Sequence, residues 1–72
     1  MIFSEDQRIR ALNEEYPKGT RIHLVSMKDS QAPAPGTEGT VDHVDDIGTI
    51  HVVWDNGSTL GLITGDDLFW KL

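Results

Sequence analysis

Histidine and aspartate are the residue types in this chain best suited to hold a metal ion or to move a proton. The three histidines, His23, His43 and His51, lie on separate predicted strands, and no two of them have the i, i+4 spacing of a helical metal site. Surface histidines also titrate near neutral pH without any ligand. We therefore expect no metal site.

The acidic cluster Asp42, Asp45 and Asp46 offers carboxylate oxygens of the kind that bind cations. An EF-hand loop, however, requires a bidentate glutamate at its twelfth position. The twelfth residue counted from Asp42 is Val53. The cluster is more typical of a solvated turn.

No residue pattern indicates catalysis or nucleotide binding. The chain has no cysteine, and no serine or threonine stands in a recognisable order with a histidine and a carboxylate. Gly36, Gly39 and Gly48 do not belong to the lysine-containing motif of a phosphate-binding loop. We expect a protein that is not an enzyme and uses no cofactor.

The segment from Met27 to Gly36 is the strongest candidate for a ligand-binding loop, because it combines an acidic residue with two stiffening prolines. Trp70 is the leading aromatic candidate. It alternates with Phe69 on the last predicted strand, so one of the two should face outward. The candidate partner-binding residues are Asp29, Pro33, Pro35 and Trp70. A stiff loop that merely closes the fold remains the alternative.

Charge is distributed unevenly along the chain, whose net charge is −6. Residues 29–72 carry eight acidic side chains against one lysine, a charge of −7, which repels phosphate backbones. Nucleic acid is therefore disfavoured as the main partner. A local basic face near the helix and the first strand remains open, and its candidate residues are Arg8, Arg10, Lys18 and Arg21.

A short amphipathic helix is predicted within residues 1–16. Ser4 and Gln7 have the spacing of a capping box. The helix should end near residue 15 or 16, because Pro17 disfavours helical geometry in the residue before it. Its apolar stripe is Ile9, Leu12 and Tyr16. A helix this short must dock on other structure, either on its own domain or on another protein.

Five short β-strands are predicted after Thr20, where the hydrophobic period changes to two. They cover residues 21–25, 38–44, 49–54, 58–63 and 68–72. Val41 and Val44 are three residues apart, so both can face the core only with a bulge or a strong twist. The pair Asn56-Gly57 predicts a tight type I′ hairpin. The residues predicted to face inward are Ile22, Leu24, Ile50, Val52, Trp54, Leu60 and Leu62.

The predicted fold class is mainly β: an SH3-like five-stranded small barrel over residues 17–72, preceded by the N-terminal helix. Five strands in so few residues bury one face only by curling. No apolar stretch approaches the roughly 20 residues of a membrane helix, and the first residues lack the features of a signal peptide. We expect a cytoplasmic, monomeric protein that does not contact a membrane.

Three stretches of the sequence resemble a known family. They are Tyr16-Pro17-Lys18-Gly19-Thr20-Arg21-Ile22, Gly36-Thr37-Glu38-Gly39-Thr40-Val41, and the longer run from Asp45 through Trp54-Asp55-Asn56-Gly57-Ser58 to Leu62. The resemblance is to domain of unknown function 4314, a bacterial family with members in Gram-positive bacteria and their phages or mobile elements. It covers about residues 16–72 and implies an SH3-like barrel. It implies no catalytic residues, because the family has no assigned activity.

Three hypotheses follow. The first is a binding module that recognises a protein partner, encoded by a bacterial phage or mobile element. The second is a nucleic-acid-associated module that uses the basic face. The third is a small structural or regulatory subunit that docks through the stripe of its N-terminal helix.

Overall fold

The computed structural model describes residues 4–72 of the chain, which form one antiparallel sheet and one helix joined by loops. The elements are α1 (Glu5–Glu15), β1 (Arg21–Ser26), β2 (Glu38–Val44), β3 (Ile50–Trp54), β4 (Gly61–Leu62) and β5 (Leu68–Lys71). The order of strands across the sheet is β4-β3-β2-β1-β5. The predicted fold class, mainly β with a short N-terminal helix, is confirmed.

The helix begins and ends as predicted. The Ser4 hydroxyl accepts a hydrogen bond from the Gln7 backbone N–H at 3.2 Å, and the Gln7 side chain accepts one from the Ser4 N–H at 3.0 Å. This confirms the capping box, while residues 1–3 of the predicted helical segment lie outside the described residues. Leu12 and Tyr16 pack against the core of the sheet. No helix within residues 4–72 has the length and apolar character needed to cross a membrane.

The core is formed by alternate side chains from four strands. Its buried members are Ile22, Leu24, Val41, Ile50, Val52, Trp54 and Leu62. All seven are at most 1% exposed, so the sheet curls around one shared interior. The predicted inward positions are confirmed, except that Leu60 is only half-buried.

Of the two alternatives predicted for β2, a bulge or a strong twist, the structure has the bulge. Val41 pairs with Val52, but His43 pairs with His51, so the register against β3 shifts by one residue between them. Because of this shift, Val41 is buried and Val44 also packs against the core.

The type I′ hairpin prediction is wrong. Gly57 has a φ of 92°, but no residue other than glycine within residues 4–72 has a positive φ, so Asn56 does not adopt the second left-handed conformation. The Gly57 N–H donates to the Trp54 carbonyl at 2.9 Å, and the Trp54 N–H donates to the Ser58 carbonyl at 2.8 Å. The hairpin loop therefore has three residues, Asp55-Asn56-Gly57, and combines a type I turn with a left-handed glycine at its end. This geometry spares asparagine the strained conformation.

The predicted fourth strand is too long, since β4 contains only Gly61 and Leu62. The reason lies at Leu60, whose carbonyl accepts a hydrogen bond from the buried Trp54 indole N–H at 2.8 Å. That carbonyl satisfies the buried indole instead of extending the ladder with β3.

The sheet is not closed into a barrel by backbone pairing, which corrects the predicted closure. The strands β4 and β5 are its two edges. A side chain connects the segments there: Asp67 is 8% exposed and accepts hydrogen bonds from the backbone N–H groups of Ile63 at 2.9 Å and Lys28 at 3.1 Å. With β4 only two residues long, this carboxylate joins the end of β4 to the loop after β1.

Candidate binding surface

An exposed aromatic surface lies on the outer face of β1 and β5. The alternation predicted for the last strand is confirmed: Phe69 packs against the core and Trp70 is 54% exposed. We call the outward side chains of this region, Trp70 with His23, Leu68 and Leu72, the Trp70 surface. Leu68 is 62% exposed and Leu72 is 60% exposed. The surface is thus an apolar row along an edge strand.

Strand pairing holds Trp70 in a defined orientation. His23 of β1 lies directly opposite it in the register. The two rings are stacked, with centroids 4.9 Å apart and planes 3° from parallel. The stack covers the indole face toward β1, so the other face points away from β1, beyond the edge of the sheet. This half-covered, oriented indole was not predicted, because the sequence does not say which residues pair across strands.

Charges near the stack are already paired. Arg21 donates to both carboxylate oxygens of Asp55, at 2.7 and 2.9 Å, and to Glu38 at 3.3 Å. The hydrogen bond from Arg21 holds the pKa of Asp55 below its usual value, and the same bond raises the pKa of Arg21. His23 Nδ1 lies 4.0 Å from the second oxygen of Glu38. The group of two carboxylates and one guanidinium is net negative, and it reaches the Trp70 surface through Glu38.

The four predicted partner-binding residues do not form one site. Asp29 is exposed, and its carboxylate accepts a hydrogen bond from the Gln31 N–H at 2.7 Å. Pro33 is buried and Pro35 is exposed. Asp29 lines a cleft of about 300 Å³ between the loop after β1 and the turn before β5, whereas Trp70 is not among its lining residues. Buried Pro33 anchors the loop and is not available to a ligand.

That cleft is both acidic and apolar, and we call it the acidic cleft. It is lined by Met27, Lys28, Asp29, Gly61, Ile63, Asp66 and Asp67. Three carboxylates against one ammonium group make it net negative. The cleft lies at the start of β5, because two of its lining residues, Asp66 and Asp67, directly precede that strand. These two residues are four and three positions before Trp70 in the chain.

The predicted basic face is largely neutralised by acids of the same chain. Arg8 pairs with Glu5 at 3.2 Å and also donates to the Ile47 carbonyl at 2.8 Å. Lys18 lies 4.0 Å from Asp42. Arg21 is held by Asp55 and Glu38, as described above, and exposed Arg10 borders an open depression together with Asp6 and Asp46. These four cations are not gathered into one unpaired basic patch.

Two of the histidines form a pair that sequence reasoning missed. The rings of His43 and His51 are stacked, with centroids 4.4 Å apart and planes 9° from parallel. Each ring has its own carboxylate: His43 Nδ1 is 2.6 Å from Asp42, and His51 Nε2 is 2.7 Å from Asp45. The hydrogen bond from each histidine is the main cause that lowers the pKa of its aspartate.

The stacking of this pair does not suit shared coordination of one ion. The lone pair of an imidazole nitrogen lies in the plane of its ring, and two stacked, nearly parallel planes do not converge on one point. Within residues 4–72, no three histidine, aspartate or glutamate side chains come together as a metal site. The bulge in β2 places His43 opposite His51. The spacing of Val41 and Val44, which indicated a bulge or a twist, was therefore the sequence feature that bears on this pair.

Comparison with known proteins gives a family but no relative of known function. The model of the family described as "Domain of unknown function (DUF4314)" matches residues 5–72 of the chain. No curated protein and no solved structure matches the chain.

Proposed function

We propose that this chain, which belongs to the DUF4314 family of domains of unknown function, is a non-enzymatic module that binds a protein partner through the Trp70 surface. The observation that carries the proposal is Trp70 itself: a large aromatic side chain, 54% exposed, held flat against His23 between two exposed leucines. Tryptophan side chains that a partner buries at the centre of an interface are among the largest contributors to binding free energy.

The stack with His23 makes Trp70 a good anchor for a partner. A free tryptophan side chain loses rotamer freedom when a partner orders it, and this loss weakens binding. In this protein, strand register and the 4.9 Å stack already restrict the ring. The surrounding apolar row supplies further area that a partner would remove from water.

We further propose a fold family, a source and a cellular location for the domain. We propose that the domain is SH3-like, as the resemblance implies, with its sheet left open between β4 and β5; five antiparallel strands that curl around one core support this relationship. We also propose a cytoplasmic, monomeric protein from a bacterium, phage or mobile element. The lack of cysteine in the chain suits a reducing compartment.

The two alternatives receive less support. A nucleic-acid interface would need free cations, but Arg8, Lys18 and Arg21 each lie within 4.0 Å of a carboxylate oxygen. Docking through the helix would need its apolar stripe, but Leu12 and Tyr16 pack against the core of the sheet.

Affinity capture from the source cell tests the proposal if it compares matched variants. Trp70→Ala removes the anchor, while Val53→Ala removes an apolar side chain that is 49% exposed on β3. The two side chains are three strands apart in the sheet, roughly 14 Å. We expect at least one protein to be retained by the wild type and by Val53→Ala and lost with Trp70→Ala. Identical captured sets from all three would contradict the proposal, provided that circular dichroism shows each variant folded.

A further inference from the structure

The uncovered face of Trp70 has the geometry of a cation-binding platform. One face of the indole is stacked on His23, and the other points away from β1 at the sheet edge. Tryptophan has the most favourable aromatic face for a guanidinium or ammonium group within about 6 Å of the ring. The planar guanidinium of arginine also stacks well on such a ring.

Residues 4–72 do not themselves place a cation on that platform. In this part of the chain, the cation that lies over an aromatic ring is Lys71, and its ring is Tyr16, at 5.7 Å. Lys71 also pairs with Glu15 at 3.2 Å. Arg21 is held by Asp55 and Glu38. The described cations nearest in sequence and register to Trp70 are therefore engaged elsewhere.

The surroundings of Trp70 are negative. On the β2 side of the stack, Glu38 lies 4.0 Å from His23, and Glu38 and Asp55 together outnumber the one guanidinium, that of Arg21, which they share. At the start of the same strand lies the acidic cleft, with three carboxylates and one lysine. The chain as a whole carries −6. This field attracts a basic partner and repels an acidic one.

We infer that the partner of the Trp70 surface is a basic protein segment, with an arginine or lysine side chain stacked on the uncovered face of Trp70 and its flanking residues toward the acidic cleft. The inference rests on the proposed function and names the chemistry of that partner. A second copy of this chain is a poor occupant, because each copy carries −6. Nucleic acid and anionic lipid surfaces are repelled for the same reason.

Titration of the ¹⁵N-labelled chain with hexaarginine, followed by ¹H–¹⁵N NMR, tests the inference directly. The two tryptophans give two indole N–H signals. Trp54 is 1% exposed and donates its indole N–H to Leu60, so its signal serves as an internal reference. We expect the Trp70 indole signal to shift in a saturable way while that of Trp54 stays nearly fixed, with no effect from hexaglutamate.

Two variants separate stacking from general attraction between charges. Trp70→Leu keeps an apolar side chain and the net charge but removes the aromatic face, so we expect hexaarginine to bind about two- to thirtyfold more weakly. Trp70→Tyr keeps an aromatic face and should retain most of the affinity. Equal affinity in the wild type and Trp70→Leu would overturn the inference.

Other outcomes distinguish this inference from the proposed function. If capture finds a partner that depends on Trp70 while hexaarginine leaves the Trp70 signal unmoved, the binding role stands and the basic chemistry is wrong. If the polyamine spermine binds as tightly as hexaarginine and equally depends on Trp70, the site takes small cations and the inferred peptide is wrong.

Discussion

At the scale of single residues, two of the aspartates hold loops in place by accepting hydrogen bonds from backbone N–H groups. Asp67 accepts two backbone hydrogen bonds at the open edge of the sheet. Asp45 accepts hydrogen bonds from the N–H groups of Ile47 and Thr49 and also holds His51. Each of these side chains organises a loop, and their neighbours Asp46 and Asp66 are exposed.

Replacing Asp67 should therefore destabilise the fold. In Asp67→Asn, only one side-chain oxygen remains to accept hydrogen bonds, so one of the N–H groups of Lys28 and Ile63 loses its partner. We expect a loss of about 1–3 kcal/mol in the free energy of unfolding, measured by urea denaturation. Asp66→Asn, the matched control, should change it by less than about 0.5 kcal/mol. Equal effects of the two substitutions would contradict the structural role of Asp67.

The contacts of Asp45 predict a dependence of stability on pH. Its hydrogen bond with His51, followed by those from backbone N–H groups, lowers its pKa in the folded state. The stabilisation is present above the unfolded-state pKa, about 3.9, and is lost as the pH falls through the lower folded-state pKa. Urea denaturation between about pH 5 and pH 2 should show a smaller pH slope for Asp45→Asn than for the wild type. Asp46→Asn removes the same charge one residue away and should keep more of that slope.

At the scale of elements, the short strand β4 depends on a close approach that only glycine allows. A Cβ built on Gly61 would lie 2.5 Å from the side-chain methyl of Thr49. Threonine is branched at Cβ and has few rotamers into which that methyl can move. The contact with Thr49 could not be predicted from the sequence, because the partner of Gly61 depends on the register between β3 and β4.

Substitution of Gly61 with alanine should be destabilising, and a second substitution should reverse the effect. We expect Gly61→Ala to lower the free energy of unfolding by about 1–3 kcal/mol through overpacking. Thr49→Ser removes the opposing methyl, so the double variant should recover a large part of the loss, with a coupling energy of about 0.5–3 kcal/mol. Additive effects of the two substitutions in urea denaturation would show that the contact is not the cause.

At the scale of the whole molecule, net charge opposes self-association. The exposed apolar row of β5 lies on an edge strand, a common site of pairing between chains. Each copy, however, carries −6, and repulsion between copies is strongest at low ionic strength. Repulsion between copies therefore disfavours pairing through this apolar row, whereas it would not hinder the basic partner inferred above.

The expected result in solution is a monomer at low salt. Sedimentation velocity over a range of protein concentrations should give one species, and added salt should be the condition that favours any weak association, because it screens the charge. A dimer that forms at low salt and dissociates as salt is added would contradict this account.

Local patterns determined the elements and much of the core. The capping pair Ser4 and Gln7, the alternation around Ile22 and Leu24, and the spacing of Val41 and Val44 each act through neighbours along the chain. Their structural consequences could therefore be predicted. The length of β4 could not, because it depends on the indole of Trp54 reaching the Leu60 carbonyl.

The sequence by itself determined a small β-domain with an N-terminal helix, its negative charge, and the exposure of one aromatic residue on its last strand. Only the tertiary structure decided which side chains meet: Trp70 with His23, His43 with His51, and Asp67 with the backbone of two other segments. The physical reason is that periodicity fixes the face on which a side chain lies, whereas its neighbour on that face depends on strand order and register. Both are set by contacts between residues that are distant in the chain.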